Sequence, residues 1–442
     1  MKTFLKLFIL FFIVSNMYAQ TWTTYDYNNS NYSLTATYCL TVDASNNIWI
    51  GTNRSIVKFN QLNTWTVYDA SNSGMPNDRV VDIATTGTNS VWVCTYGSGL
   101  LNFNGSMWQQ YLPSNCGILS NYTYCVGFDT PGNVWMGILS ANAQNAGVMK
   151  WSGGNNWTPY NNFFDGYNYK NVEAIAKDNA GNIWCGTSIG VFKFDGTNWT
   201  PYTKENTSGG LCGNYVRTIA VDASGNIWFG CEDKDPVTGY PIAGGLSKFT
   251  GTSWSNYKPS NSNLTTGYIS AIAFRNNEVW VGTGFCGEVS DNKGLFKFDG
   301  TNWTNYANNT STFPGACVFD IVVDKNNNLW VAGPNILTKI NFTPSGIEDN
   351  YKDIIPTQYS LNAYPNPFNP TTKIEFSIPK QGKYTIKIYN TLGQELSMLV
   401  DHELVAGVHS VTFDASGFAS GIYICKLNGD NVSLSKKIVL TK

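Results

Sequence analysis

Charge is scarce in this chain and histidine nearly absent. Lys, Arg, Asp and Glu make up 13% of the residues, and the formal net charge is −2. No basic run or stripe occurs, so nucleic-acid binding lacks its electrostatic footprint. The two histidines, His402 and His409, both lie near the C-terminal end. Everything before them lacks the imidazole needed for a Ser-His-Asp triad, His acid–base chemistry or a His-metal site. The ten cysteines include no C-x-x-C pair, and zinc spacing is missing. No G-x-S-x-G or phosphate-cradling loop is present. No cofactor is expected. After the N-terminus no segment is apolar enough to cross a membrane, and helical periodicity is absent almost everywhere.

The N-terminus itself has Lys2 and Lys6, an apolar run from Leu7 to Val14, and then Ser15-Asn16-Met17-Tyr18-Ala19. That is the layout of a secretory signal peptide over residues 1–19, with the mature chain beginning near Gln20.

Tryptophan is abundant and periodic. Trp49, Trp92, Trp135, Trp184, Trp228, Trp280 and Trp330 sit in I-W-x-G-T-like settings. Trp22, Trp65, Trp108, Trp157, Trp199, Trp254 and Trp303 sit in W-x-x-Y-like settings, and only Trp151 lies outside both sets. A self-similar unit of about 40–50 residues marks a repeat array. Residues 172–202 show one unit. Val172 to Lys177 alternates as a strand, and Asp178 to Asn182 is a tight turn. Ile183 to Thr187 and Gly190 to Asp195 are the next two strands, and Trp199 to Tyr202 is an outer one. Four-stranded meanders stacked around an axis make a β-propeller, with the tryptophans packed between blades. The last unit, from about Val318 to Asn341, has no W-x-x-Y, whereas Trp22-Thr23-Thr24-Tyr25 precedes the first. The N-terminal strand is therefore expected to complete the seventh blade over residues 20–342 and protect the open edges.

These residues resemble the two-component regulator propeller repeat, most closely at 216–231 (VRTIAVDASGNIWFGC) and 280–306. The resemblance implies the fold and, for many members, sensor ectodomains that recognise glycan fragments. The family's kinase and DNA-binding parts have no counterpart here.

Only the loop between the second and third strands varies much in length. It is long in blades three (Ile138 to Gly147), five (Glu232 to Gly245) and six (Gly284 to Gly294). In a meander these loops share a face with the links between blades, and insertions on one face often mark a binding surface. Aromatic side chains there, Phe163, Phe164, Tyr167, Tyr169, Tyr240 and Phe285, are the candidate ligand-binding residues, suited to stacking on sugars or anchoring a protein. Glu232, Asp233, Asp235, Glu288 and Asp291 lack calcium-loop spacing and read as solvated acidic loops. Aspartates 43, 129, 178, 222 and 324 are turn residues, so no catalytic residue is assigned. The expected function is a non-catalytic binding protein for extracellular glycan or a surface protein. A polysaccharide lyase or glycosidase on a propeller scaffold is the alternative. Meander geometry brings Cys94 near Cys116, Cys185 near Cys212 and Cys286 near Cys317 as possible disulfides, with Cys39 and Cys125 in the core.

Composition shifts after Asn341. Residues 343–358 read as a linker and 359–442 as a small β-sandwich of short alternating strands. This segment resembles the type A C-terminal sorting domain of type IX secretion. The matching elements are Pro365-Asn366-Pro367, Gly393, Ala406-Gly407, Gly421-Ile422-Tyr423 and Lys436-Lys437-Ile438-Val439-Leu440. The sandwich is also similar to the immunoglobulin-like fold of flagellar hook assembly proteins, but the full motif order favours sorting. The resemblance implies passage through the periplasm, the type IX machinery as partner, and a secreted or surface-attached product.

Overall fold

The computed structural model describes residues 18–26, 30, 36–62, 64–87, 90–139, 146–161, 171–234, 241–284, 294–306, 317–344, 358–404, 407–429 and 432–441. The chain separates into two compact units, Met1–Ser345 and Gly346–Lys442.

The first unit is a seven-bladed β-propeller of seven four-stranded antiparallel sheets. Blade four runs Val172–Lys177, Ile183–Thr187, Gly190–Phe194 and Trp199–Tyr202 from the axis outward. The constant turn between its first two strands has a specific cause. Asp178 Oδ1 accepts the backbone N–H of Ala180 and Asn182, and Oδ2 accepts Asn182 Nδ2 and the indole N–H of Trp184 at 2.8 Å. Asp43, Asp129, Asp222 and Asp324 hold Trp49, Trp135, Trp228 and Trp330 in the same way. The Asp must sit six residues before the Trp for one carboxylate to close the turn and satisfy a buried indole. Blade six solves the problem from the other side, where Glu278 accepts from Trp280 at 3.2 Å.

The motif glycine also has a packing reason. A Cβ on Gly51 would lie 2.5 Å from Val80 Cγ1, and one on Gly186 would lie 2.8 Å from the Val216 carbonyl. The first strand of the next blade lies against that position, which sets the distance between blades. Between strands, each second-strand Trp stacks on the Tyr of the outer strand: Trp49 on Tyr68, Trp184 on Tyr202, Trp280 on Tyr306.

In blade seven that Tyr comes from the other end of the chain. Tyr18–Tyr25 pairs antiparallel with Ile336–Pro344, with Trp22 opposite Ile340 and Tyr25 opposite Leu337. The Tyr25 ring stacks on Trp330 with centroids 5.9 Å apart, reproducing the contact of the other six blades. The N-terminal strand thus closes the ring.

Two of the expected disulfides are not formed. Cys94, Cys116, Cys185 and Cys212 are free thiols. Cys94 occupies the glycine slot of blade two, so its thiol turns to Thr123 of blade three and not to Cys116. The Cys116 thiol lies on an unanticipated helical turn, Pro113–Cys116, and donates to the Leu112 carbonyl. Cys185 packs in a core cluster with Trp135 of blade three. Cys212 packs in another, beside Phe229 of blade five. Alternation along the strand therefore sends Cys185 and Cys212 to opposite sides of blade four. Cys317 is disulfide-bonded, while Cys286, its expected partner, lies outside the described residues.

The second unit is an immunoglobulin-like sandwich. Ser360–Tyr364, Thr371–Ile378 and Gly407–Asp414 form one sheet. Glu395–Leu404, Gly382–Tyr389, Gly421–Gly429 and Val432–Leu440 form the other. Ile374, Phe376, Ile386, Ile388, Phe413 and Leu427 fill the space between them.

Candidate ligand site at the mouth of the central channel

The innermost strand of most blades carries a bulge. Register breaks between Val80 and Asp82, Thr123 and Cys125, Val172 and Ala174, Val216 and Thr218, and Ile269 and Ala271. The skipped residues are Val81, Tyr124, Glu173, Arg217 and Ser270. A bulge re-aims the extra side chain, and these five reach the ring axis, where they line a cavity of about 560 Å³. Tyr38, Arg79, Asp82, Phe319 and Asp320 line it too.

The cavity has two unlike sides. On blades four and five, buried charges compensate one another. The Tyr215 hydroxyl donates to Glu173 Oε1 at 2.8 Å, and Arg217 Nε donates to Glu232 Oε1 at 2.9 Å. Arg217 also lies over the Tyr215 ring, 4.5 Å from its centroid. Burial, reinforced by Glu173, pushes the Tyr124 and Tyr215 phenols far above their ordinary range, so both stay protonated. Glu232 and Asp233 are not solvated loop residues. Strands two and three of blade five extend into a longer hairpin, where Glu232 is fully buried and Asp233 pairs with Lys204. The Arg217 guanidinium offsets the cost of burying the Glu232 carboxylate.

On blades one and two the arrangement differs. The Arg79 guanidinium lies between two rings, 5.3 Å from the Tyr38 centroid and 4.3 Å from that of Tyr96. Arg79 Nε and Asp78 Oδ2 are both enclosed and without a hydrogen-bond partner. Tyr96 meets Tyr122 edge to face at 5.6 Å, and the two rings are 46% and 48% exposed. Tyr96 N–H donates to the Arg79 carbonyl, and Leu139 N–H to that of Tyr122. These bonds tie the second-to-third-strand loops to the blade links, so the mouth lies on the long-loop face.

Deeper in the channel, Asp82 and Asp320 bridge neighbouring blades. Asp82 accepts from Ile83 and from Val126 of blade three, and Asp320 accepts from Ile321 and from Leu40 of blade one. Desolvation outweighs those bonds and pushes Asp82 up to about 6 and Asp320 to about 7. Among the described residues no cluster of His, Cys, Asp and Glu could hold a metal.

The six aromatic residues expected to bind ligand, Phe163, Phe164, Tyr167, Tyr169, Tyr240 and Phe285, all lie outside the described residues, as do Asp235, Glu288 and Asp291. The channel residues were missed because each hides in an otherwise apolar strand. Aligned repeats do carry a signal: the position after the first Val, Thr or Ile is Tyr38, Val81, Tyr124, Glu173, Arg217, Ser270 and Phe319 in turn. A place that holds aromatic, acidic and basic residues inside an apolar strand faces neither core side.

In the second unit the sorting elements come together. Asn366, between two cis X-Pro bonds, donates to the Lys437 carbonyl at 2.9 Å and accepts from Val439 N–H at 2.8 Å. Lys436 Nζ reaches Asn362, and the Tyr423 hydroxyl donates to the Ala419 carbonyl. Gly393 adopts φ +79 in its turn, a conformation that favours glycine, and Gly407 and Gly421 open strands.

Comparison with known proteins agrees with both units. Residues 362–441 match the secretion system C-terminal sorting domain, and residues 210–233 match the two component regulator propeller. No curated protein matches the chain by sequence. Among solved structures, one relative is the extracellular domain of a protein assigned as a hybrid two component system of B. thetaiotaomicron. It is 15% identical, with a TM-score of 0.58 over 97% of this chain and 60% of that one. Another is PorZ, a surface component of the type-IX secretion system of Porphyromonas gingivalis. It is 17% identical, with a TM-score of 0.55 over 92% of this chain and 60% of that one. A streptogramin B lyase is 15% identical, with a TM-score of 0.54 over 73% of this chain and 98% of the lyase. This chain thus spans less than two thirds of the length of the first two, and at such identities the likeness is one of fold. Among the described residues no helix is long and apolar enough to cross a membrane. The sorting domain directs the protein to the outer surface. The chain is a β-propeller, similar over residues 210–233 to the two component regulator propeller, that carries a secretion system C-terminal sorting domain over residues 362–441.

Proposed function

We propose that the protein is a non-catalytic binding protein of the outer surface, exported by the type IX machinery, whose propeller engages an extracellular ligand at the long-loop face. The observation that carries this reading is the cavity of about 560 Å³ opening there, lined by Tyr38, Tyr124, Arg79 and Arg217. That volume falls within the range of about 300–1,000 Å³ usual for small-ligand sites. Catalysis is poorly supported by the same residues. The phenols are protonated, Glu173 is engaged by Tyr215, and Glu232 by Arg217. Asp82 and Asp320 titrate near neutral pH, but each carboxylate already accepts two backbone N–H groups that bridge neighbouring blades.

Glycan is the leading ligand class and a surface protein the second. Phe163, Phe164, Tyr167, Tyr169, Tyr240 and Phe285 are proposed, from their place in the repeat order, to extend the contact. A glycan array probed with the exported protein should give a signal that Phe164→Ala or Tyr167→Ala removes. Retention of a surface protein with no glycan signal would favour the second class. Release of cleaved products from polysaccharide mixtures would overturn the non-catalytic reading.

A further inference from the structure

We infer that Arg79 is the anchor of an anion site, and that its ligand is an acidic sugar whose carboxylate pairs with this guanidinium. The inference rests on the binding reading above and narrows it to one sector of the rim and one ligand chemistry.

Two arginines line the cavity, and they are built differently. Arg217 has its carboxylate, Glu232, at 2.9 Å. Arg79 has no ion pair among the described residues, and its Nε lacks any partner. Among the described residues two rings flank its guanidinium, Tyr38 and Tyr96. Rings attract a cation without neutralising it, and a clamped guanidinium is already ordered before a ligand arrives. A planar fork held in this way suits a carboxylate, which it can bind through two parallel hydrogen bonds.

The surroundings of Arg79 decide between acidic ligands. Asp78 Oδ2 is also unpartnered, whereas Oδ1 accepts the backbone N–H of Arg79 at 2.7 Å. Oδ2 is enclosed, so a ligand at this rim meets the Arg79 guanidinium and the half-exposed rings beside it. An acidic sugar residue carries one carboxylate and several hydroxyl donors on a compact ring. An acidic peptide brings the anion without a rigid ring face to rest on Tyr96 and Tyr122. Tyr122, half exposed beside Tyr96, offers a further ring for a sugar face to rest on.

The test is titration calorimetry of the exported, full-length mature protein against an oligogalacturonate, its carboxyl-reduced neutral counterpart and a poly-glutamate peptide. The oligogalacturonate should bind and weaken with added salt, and the neutral counterpart should bind at least tenfold less tightly. Arg79→Gln, which removes the charge, should lose tenfold or more. Tyr96→Ala, at an exposed position where folding is not at risk, should lose several-fold, with the melting temperature unchanged. Equal binding of the neutral oligomer, or unchanged affinity in a folded Arg79→Gln protein, would overturn the anion site. Binding of poly-glutamate without oligogalacturonate would overturn the sugar assignment while leaving the protein-partner reading intact. A protein that retains glycans on the array but ignores Arg79 would likewise sink this inference and not the broader one.

Discussion

In Asp178 one side chain closes a turn and holds an indole, and its protonation state follows from that. Burial alone would raise its pKa. Hydrogen bonds from Trp184, Asn182 and Ala180 outweigh burial and hold it below the ordinary aspartate value, and Asp129 and Asp222 behave alike. Their contribution is complete above that value and is lost as pH falls through the lower folded values. The channel aspartates have the opposite sign. Asp82 and Asp320 hold their protons to about 6 and about 7, so the folded state binds more protons than the unfolded one. Stability should therefore decline as pH rises from about 4 to about 7. Asp82→Asn with Asp320→Asn removes both titrations. It also leaves an N–H without its acceptor in each bridge, at a cost of about 1–3 kcal/mol each. The double variant should be less stable at pH 5 and show a flatter profile between pH 5 and 8. Melting curves across that range check this. A profile that simply runs parallel to the native one contradicts it.

At the scale of the strand, ring closure is a copy of a repeat contact made by a distant segment. The Tyr25–Trp330 stack matches those inside the other blades. Tyr25→Ala should cost about 2–3 kcal/mol, since it deletes a half-buried ring against a buried Trp. Tyr68→Ala, the equivalent change in blade one, should cost a similar amount. Chemical denaturation of the two variants compares them directly. A negligible cost at Tyr25 alone would mean the closing strand contributes little. The sequence disclosed this element because its W-x-x-Y stands outside the repeat order, at the end where it is missing. It also disclosed the turns, because Asp and Trp keep fixed spacing. It could not disclose the cavity wall, because a bulge of one residue changes where Glu173 and Arg217 point without changing the pattern around them. Nor could it place Cys94, since only the three-dimensional slot between blades shows that a glycine position is being filled.

At the scale of the whole molecule, the propeller and the sorting domain are separate compact units. Removing residues 346–442 should leave a folded ring that stays in the periplasm. Fractionation with a protease-resistance assay checks both halves. Surface display of the truncated chain would contradict the division of labour, and loss of the folded ring would show that the units depend on one another. The ladder that closes the ring also has a mechanical consequence. It joins residues 314 positions apart, and its register places Tyr18 opposite Pro344, at the end where the chain runs on toward the sorting unit. In a mature chain beginning near Gln20, traction on the tail against the N-terminus would load this ladder one pair at a time, from Gln20–Phe342 inward, and not all its pairs in shear. The seventh blade would part like a zip under a small force while the other six stay whole. A propeller pulled through a narrow passage by its tail would open at its own seam.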